Sequence, residues 1–330
     1  MKVSILVPAF NAAKWIGDTI SSALGQTWPD KEVIVVDDGS TDRTLEIARA
    51  FEGQALRVVA GEHRGAAAAR NRALSLAGGE LIQWLDADDL LAPDKIALQM
   101  KAADEEGSDL VLLSSSFGTF YHRSRKARFE ANALWQDLSP ADWLVASLSG
   151  TLWLNPAVWL VSRRLAEKAG PWDERLSADD DGEYVARMVA ASERVRFVGG
   201  SKSYYRQSSF RQLSRVRSEE AARSQALSAE MKIRTLLKVE DSERARAAAL
   251  AALRALSAGL YPMRPDLLER IGGLAKELGG GLGRPQQTWR LRLLQRIFGP
   301  ERGRAISVAF RRMRLAVAVG WDGLMDRLGL

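Results

Sequence analysis

The chain has 330 residues, 46% of them hydrophobic, which is enough for a large core and a further segment and excludes a disordered chain. It carries 47 Lys and Arg against 41 Asp and Glu, a modest excess that suits phosphorylated substrates or an anionic membrane without by itself implying nucleic acid. The absence of cysteine excludes disulfides, thiolate zinc sites and cysteine nucleophiles. Because no run reaches ~18 uninterrupted apolar residues, we expect a cytoplasmic protein, and contact with the inner face of the membrane remains open.

The first half of the chain alternates β-rich apolar runs with segments of helical period. Strands are predicted at residues 3–7, 32–36, 56–59, 81–85 and 109–113, with helices between them. This alternation predicts an α/β fold with a doubly wound, mostly parallel sheet flanked by helices. Such sheets bind ligands beyond the carboxyl ends of their strands, so function is expected just after each strand.

The second half follows a different pattern. Residues 117–140 give no clear prediction, and strands at 158–161 and 195–198 flank a helix at 162–169. From about Ser218 the composition changes to Ala, Leu and Arg, and Leu250, Leu253, Leu256 and Leu260 share one helical face. We therefore predict an α/β domain over residues 1–215, with halves at about 1–115 and 116–215, and a C-terminal helical region over 216–330.

Polar residues follow the first two predicted strands. Pro8, Ala9, Phe10 and Asn11 come after the first and can shape a slot for a base or ribose, and Asp38 after the second can accept from a base N–H. The alternative is turn and cap chemistry, which we favour for the three residues that follow Gly39.

The fourth predicted strand ends in three carboxylates, Asp86, Asp88 and Asp89. Asp86 and Asp88 alternate along an extended chain, so both can face one cation, and hard oxygen ligands suit Mg²⁺ or Mn²⁺ bridging to phosphates. Asp89 has the alternative of opening a loop or lying near a helix N-terminus. We predict a metal site at Asp86 and Asp88.

Two further groups of charged residues suit transfer chemistry. Arg70 precedes the acidic strand and is a candidate for pyrophosphate or for the metal-site carboxylates, although helix arginines are commonly solvated. A second acidic cluster, residues 179–183, opens a helix, where acids are ordinary dipole partners. One or two of its carboxylates remain as candidates for a general base that takes a proton from an attacking hydroxyl.

Five motifs in this order resemble the family 2 glycosyltransferases of the GT-A fold. They are VSILVPAFN at 3–11, VVDDGSTD at 35–42, ARN at 69–71, LDADD at 85–89 and WDERL at 172–176, and the resemblance covers roughly residues 2–206. The resemblance implies a catalytic domain over 1–215, with the nucleotide-sugar half first and the acceptor half second.

The family implies inverting, metal-dependent transfer of one sugar from a nucleotide-diphosphate sugar to a glycan or lipid-linked acceptor hydroxyl. It implies nucleotide contacts at residues 8–11 and Asp38, a metal on Asp86 and Asp88, and a base at Asp181 beside Asp180. Arg206 stands where such enzymes close over the diphosphate. UDP is the expected nucleotide, and assembly of a surface polysaccharide or another glycoconjugate is the expected role. Asp180 and Gly182 depart from the family, which often has Glu and an aromatic there.

The C-terminal region is rich in arginine. Residues 284–321 interleave arginines with large apolar side chains, and Glu301 is the one acid up to Arg314. Basic amphipathic helices can lie on anionic membranes, which predicts peripheral membrane contact; helices packed on the catalytic domain are the alternative. No nucleic-acid motif accompanies the charge, so no nucleic acid is expected.

Two other functions compete with glycosyl transfer. A noncatalytic nucleotide-sugar sensor or membrane scaffold is motivated by the basic tail and the atypical acidic cluster. A nucleotidyltransferase would want a glycine-rich, basic loop after the first strand, and residues 8–11 do not provide one. His63 and His122 are too few for a histidine metal site, and Trp143, Trp153 and Trp159 are candidates either for sugar stacking or for the core.

Overall fold

The structure is a computed structural model that describes residues 1–207, 218–260, 264–283 and 289–329. The strands are β1 Val3–Ala9, β2 Lys31–Asp37, β3 Leu56–Ala60, β4 Leu81–Trp84, β5 Leu90–Leu91, β6 Val111–Phe120, β7 Arg128–Phe129, β8 Leu160–Ser162 and β9 Arg194–Arg206. The α-helices are α1 Ile16–Leu24, α2 Thr44–Arg49, α3 Ala66–Leu76, α4 Lys95–Glu106, α5 Pro140–Gly150, α6 Arg163–Ala169, α7 Asp180–Ala191, α8 Glu219–Val239, α9 Glu243–Leu260, α10 Pro265–Glu277, α11 Trp289–Phe298 and α12 Pro300–Arg327.

The described strands form one sheet in the order β3-β2-β1-β4-β8-β6-β9-β5, with β7 paired to β6. β1 to β4 pair in parallel, as do β6 and β9, whereas β8, β5 and β7 pair antiparallel to their neighbours. The predicted α/β fold is confirmed, and the sheet is mixed rather than uniform in direction. Because β1 to β4 are parallel, their carboxyl ends lie at one edge.

The sheet is covered on both faces, as its near-continuous apolar strands require. Along β1 the side chains alternate: Ile5 and Val7 belong to the core shared with α1 and α4, whereas Leu6 belongs to the core shared with α3, α5 and α7. This alternation is the period-two pattern of a strand buried on both sides.

Two local expectations need correction. The predicted strand at 158–161 is a 3₁₀ helix at Pro156–Val158 followed by β8, and Ser40 and Thr41 do not cap α2, which begins at Thr44. Asp42 accepts from the backbone N–H of Thr44 at 2.9 Å, so the chain turns on Asp42 before the helix starts. The segment that gave no clear prediction contains the end of β6, a 3₁₀ helix at Ser124–Lys126 and β7.

The C-terminal helices α8, α9 and α10 share the main hydrophobic core. Ile233, Leu253 and Leu267 belong to the same buried cluster as Trp159 and Trp172. The first part of the helical region is therefore packed into the α/β domain, and the domain boundaries stay a prediction. Helices α11 and α12 form a hairpin, in which Gly303 allows close approach because a Cβ there would overlap the backbone of α11.

Candidate active site

The loops after β1 and β2 are tied together at the carboxyl edge of the sheet. Asn11 lies in the left-handed region with φ 49°, which asparagine tolerates better than most residues. Its side-chain oxygen accepts from the backbone N–H of Thr41 at 2.9 Å, and its own N–H donates to Ser40 Oγ at 2.9 Å. Residues 8–11 and 38–42 are thus tied together at this edge of the sheet, and Ser40 and Thr41 have turn roles.

Asp38 is buried and accepts three hydrogen bonds from the segment after β3. The backbone N–H groups of Arg64 and Gly65 donate to it at 2.8 and 2.9 Å, and His63 Nδ1 lies 2.8 Å from Oδ2. In this structure Asp38 therefore holds the turn that begins α3, and its predicted contact with a nucleotide base stays a prediction.

An exposed aromatic pair stands beside Asp38. The rings of Phe10 and His63 stack with centroids 4.1 Å apart at 17°. Phe10 is exposed, so the pair leaves an aromatic surface open to solvent beside Asp38. His63 was not among the predicted site residues, although its place just after β3 is the same strand-end position that singled out Asp38.

Arg70 connects the two acidic segments of the sequence. It is buried in α3, and its guanidinium donates to Asp86 Oδ1 at 2.8 Å and to Asp180 Oδ2 at 2.6 Å. Burial lowers the pKa of Arg70, but the carboxylates of Asp180 and Asp86 raise it more. The pKa of Arg70 therefore lies above its ordinary value. The structure thus brings together residues that lie 94 positions apart in sequence.

The segment 172–174 packs against Arg70 and its neighbour Asn71. The Arg70 guanidinium lies 4.3 Å from the ring centre of Trp172, a cation–π contact inside the core. Asn71 accepts from the Trp172 N–H at 2.8 Å and donates to its carbonyl oxygen at 3.0 Å. The ARN and WDERL motifs therefore contact each other directly in the folded chain.

The first turn of α7 carries two carboxyl groups with raised pKa. Burial, followed by the negative charges of Asp180 and Asp179, raises the pKa of Asp181 to about 7, against the opposing effect of Arg70. Burial also raises the pKa of Asp180. A carboxyl group poised near neutral pH has the proton affinity that a general base needs.

The other two acids of the cluster have structural partners. Glu183 is buried and accepts from Arg187 through both oxygens, at 2.7 and 2.8 Å. Asp179 accepts from Ser228 Oγ at 2.7 Å and pairs with Lys232 at 2.5 Å. This leaves Asp180 and Asp181 as the acids of the cluster nearest the Arg70 bridge.

Arg206 lies against the other end of the LDADD segment. Its side chain is 1% exposed, its N–H donates to Asp89 Oδ1 at 2.8 Å, and its Nε donates to the carbonyl oxygen of Asp88 at 2.7 Å. Its guanidinium also stacks on Trp15, 4.1 Å from the ring centre. The end of β9 therefore meets the acidic loop, and the predicted contact of Arg206 with a diphosphate stays a prediction.

The family 2 glycosyl transferase model matches residues 4–136, the part of the chain that contains β1 to β7 and the acidic loop. This part of the chain is a family 2 glycosyltransferase domain.

Relatives within this family differ in how much of their length they share with the chain. The chain is 28% identical to glycosyltransferase GlyG of Streptococcus pneumoniae over 63% of this chain and 71% of the relative. It is 44% identical to the chondroitin synthase of Pasteurella multocida over 30% of this chain and 10% of the relative. The chain thus spans about a tenth of that synthase.

Solved structures of similar fold include Staphylococcus aureus TarS 1-349 in complex with UDP-GlcNAc. The match covers 94% of this chain and 92% of the TarS chain, with a TM-score of 0.57 and 21% sequence identity. The likeness shows that this chain and the TarS chain share a fold over most of their length.

Several contacts of this family 2 site escaped the sequence prediction. Asn155 donates to the buried Asp89 carboxylate at 3.0 Å, and Trp153, two residues earlier, is 46% exposed beside Tyr205. Trp143 and Trp159, by contrast, are buried in the core. Asn155 has no neighbouring motif, so only the fold brings it to the site.

Asp86 and Asp88 are the predicted metal ligands, and this role stays a prediction. Both are partly exposed at the sheet edge, whereas Asp89 is buried, and burial raises the pKa of Asp89 well above its usual value. Among the described residues no cluster of three or more Asp, Glu or His side chains could hold an ion. Two carboxylates fit a Mg²⁺ or Mn²⁺ that takes its other ligands from a diphosphate and water.

Proposed function

We propose that this protein transfers one sugar, with inversion, from a nucleotide-diphosphate sugar to an acceptor hydroxyl in glycan or glycoconjugate assembly. UDP is the proposed nucleotide, and the acceptor is a glycan or a lipid-linked glycan. The observation that carries the proposal is the Arg70 bridge, which sets Asp86 of the acidic loop beside Asp180 and hence beside Asp181.

The proposed reaction assigns the proton to Asp181. The acceptor oxygen attacks the anomeric carbon while its proton passes to the Asp181 carboxylate, and the bond from that carbon to the phosphate oxygen breaks. The electron pair leaves with the nucleoside diphosphate, and attack from the opposite face inverts the anomeric centre. The raised pKa of Asp181 supports this role, because a carboxylate with a pKa of about 7 accepts a proton more readily than an ordinary one.

Donor binding is proposed at three places on the crevice. Residues 8–11, which include Phe10, would contact the base and ribose of the donor together with Asp38. Arg70 and Arg206 are buried cations that contact the acidic loop and would bind or orient the diphosphate. Asp86 and Asp88 would hold Mg²⁺ or Mn²⁺, whose chemistry when bound is to offset the charge that develops on the leaving diphosphate.

The test is release of nucleoside diphosphate from a panel of nucleotide sugars with Mn²⁺, comparing wild type with Asp88→Ala and Asp181→Asn. We expect one donor to be turned over, with Asp88→Ala inactive and Asp181→Asn retaining donor binding but losing turnover. Asp104→Asn, an exposed acid on α4, is the matched control and should match wild type. Donor binding without turnover in wild type, across acceptors, would favour the noncatalytic sensor.

Peripheral contact with a membrane is a separate part of the proposal. Ten of the fifteen large exposed apolar side chains in the described part of the chain lie in or just after α11 and α12, so exposed apolar surface is concentrated there. They are Trp289, Leu293, Ile297, Phe298, Phe310, Met313, Val317, Trp321, Leu324 and Leu328. The six from Phe310 onward recur every three or four residues and share one face of α12.

Charge favours an anionic bilayer over a second copy of the chain as the occupant of this face. Arg302 and Arg314 flank the α12 stripe and are exposed, and α11 adds Arg292 and Arg296. A symmetric dimer would bring two such arginine-rich faces together, whereas anionic headgroups neutralise them. None of the described helices has the length and apolarity to cross a bilayer, so the contact would be interfacial. Residues 284–288 of the predicted contact region lie outside the described residues.

The far end of α12 is fixed near the candidate active site. Asp322 accepts from the backbone N–H of His122 at 2.8 Å and pairs with Arg123 at 2.6 Å. His122 contacts Trp15, the ring on which Arg206 stacks. A bilayer under the hairpin would therefore lie beside the site, where a lipid-linked acceptor could reach it.

Vesicle sedimentation tests the membrane contact independently of catalysis. Wild type should sediment with phosphatidylcholine vesicles only when phosphatidylglycerol is included, and added salt should weaken binding. Phe310→Ser with Trp321→Ser should abolish sedimentation, whereas Val239→Ser, another exposed apolar residue, should not. Sedimentation that is independent of phosphatidylglycerol, or dimerisation lost in the same double variant, would overturn the proposal.

A further inference from the structure

Helix α8 makes a dense set of contacts with the acidic turn before α7. Ser224 Oγ accepts from the backbone N–H groups of Ser177 and Ala178, each at 3.0 Å, and donates to the carbonyl oxygen of Ala178 at 2.7 Å. Ser224 is buried, so this one hydroxyl satisfies three backbone groups of the turn.

One and two turns further along α8, Ser228 and Lys232 bind the Asp179 carboxylate. Asp179 precedes α7 with φ 60° and ψ 26°, a left-handed conformation that is uncommon outside glycine. Its side chain does not cap its own helix; instead its Oδ2 accepts from Ser228 and from Lys232 Nζ. The unusual backbone is therefore maintained by contacts from another helix.

Gly182 shows how tightly this arrangement is packed. A Cβ at Gly182 would overlap Asp179 Oδ1 and would lie 3.2 Å from Lys232 Nζ. The space beside residue 182 is thus occupied by the Asp179–Lys232 pair. An aromatic residue, frequent in the family at this position, could not be accommodated without displacing that pair.

We propose that Ser224, Ser228 and Lys232 are positioning residues for the Asp181 carboxylate, so that α8 is part of the active site rather than a structural appendage. The inference rests on the proposed function, in which Asp181 is the base. Ser224 fixes the chain before α7, and Lys232 with Ser228 fixes Asp179, two residues from Asp181. No residue of α8 takes part in bond making.

The charges around Asp181 make the inference measurable. Burial raises the pKa of Asp181 most, and the charges of Asp180 and Asp179 on its own turn and of Asp86 from the acidic loop raise it further, whereas Arg70 from α3 lowers it. Lys232 from α8 faces Asp179 and offsets its charge. Removing Asp179 should therefore lower the pKa of Asp181, and removing Lys232 should raise it.

The experiment is the pH dependence of kcat for Asp179→Asn, Lys232→Met and the double variant, measured with the full chain. We expect the acid limb to move to lower pH in Asp179→Asn and to higher pH in Lys232→Met, each by on the order of 0.5 pH unit. In the double variant the two shifts should not add, because Lys232 acts through Asp179. Lys232→Arg should restore the wild-type limb, and Lys238→Met, an exposed lysine on the same helix, should leave it unchanged.

A structural role alone would lower the amount of folded enzyme without moving the limb, so thermal unfolding is recorded for each variant. If stable, active Asp179→Asn and Lys232→Met variants both have the acid limb of wild type, the inference is overturned, while the proposed glycosyl transfer stands. Failure of the proposed function looks different, because Asp181→Asn itself would then keep full turnover.

Discussion

Arg70 Nη1 lies 2.6 Å from Asp180 Oδ2 across 110 positions of sequence. The same guanidinium reaches Asp86, so two acidic segments that would repel each other share one buried cation. This contact also revises the sequence argument for the metal. Carboxylates clustered at one sheet edge repel one another unless a positive charge lies nearby, and Arg70 supplies part of that charge. The proposed metal dependence therefore rests on the family resemblance and on the oxygen donors alone.

The first prediction concerns this bridge. Arg70→Met should lower the free energy of unfolding by about 3–5 kcal/mol, because it leaves two carboxylates without their buried partner. Arg70→Lys should fold better but lose turnover, since an ammonium cannot reproduce the two-pronged contact. Urea unfolding and nucleoside diphosphate release measure the two effects. Arg72→Met, at an exposed arginine on the same helix, should change neither quantity. If Arg70→Met has the stability and turnover of wild type, the Arg70 bridge contributes to neither.

The second prediction uses the raised pKa of Asp181. A carboxyl group whose pKa rises from 3.8 unfolded to about 7 folded binds more protons in the folded state, so its ionisation costs stability as pH rises from about 4 through 7. Asp181→Asn should therefore be more stable than wild type at pH 8, by up to about 4 kcal/mol, and little different near pH 4. Chemical denaturation at both pH values tests the sign; a variant destabilised at pH 8 would contradict the raised pKa.

The position of several candidate site residues at one sheet edge was predictable, because these residues follow strands. Asp38, Asp86 and Asp88 stand at the ends of β2 and β4, and parallel strands bring their ends to one edge. Asn155 and Ser224 were not predictable, because each reaches the site from a distant segment without a local pattern. The signal for α8 was present but weak: Ser224, Ser228 and Lys232 recur every four residues within an Ala- and Leu-rich helix.

Two tryptophans that the sequence could not separate should now behave differently. Trp159 is buried, so Trp159→Ala should cost about 3–5 kcal/mol of stability. Trp153 is exposed beside Tyr205, and Trp153→Ala should leave stability nearly unchanged while raising the KM for the acceptor, as loss of a stacking surface would. Thermal unfolding and acceptor titration at saturating donor give the comparison. An unchanged acceptor KM in Trp153→Ala would assign this ring to packing.

Arg206 should matter through its shape as well as its charge. Its Nε contacts the carbonyl oxygen of Asp88 while its guanidinium stacks on Trp15. Arg206→Lys keeps the cation but loses the planar stack, so we expect the donor KM to rise by roughly tenfold, equivalent to about 1.4 kcal/mol. Arg164→Lys, an exposed arginine on α6, is the control. A donor KM equal to wild type in a stable Arg206→Lys protein would place Arg206 outside the donor site.

Gly182 gives the last prediction, because its missing side chain makes room for Asp179. Gly182→Ala should place a methyl group against the Asp179 carboxylate, which Ser228 and Lys232 hold in place, and so displace the turn that carries Asp181. We expect kcat to fall by about tenfold, or about 1.4 kcal/mol in the barrier. Combining it with Asp179→Gly should recover most of that loss relative to Asp179→Gly alone, because glycine removes the obstructing carboxylate and readily adopts φ 60°. If Gly182→Ala costs the same in both backgrounds, the alanine acts through some contact other than Asp179, and the space beside residue 182 does not control the base.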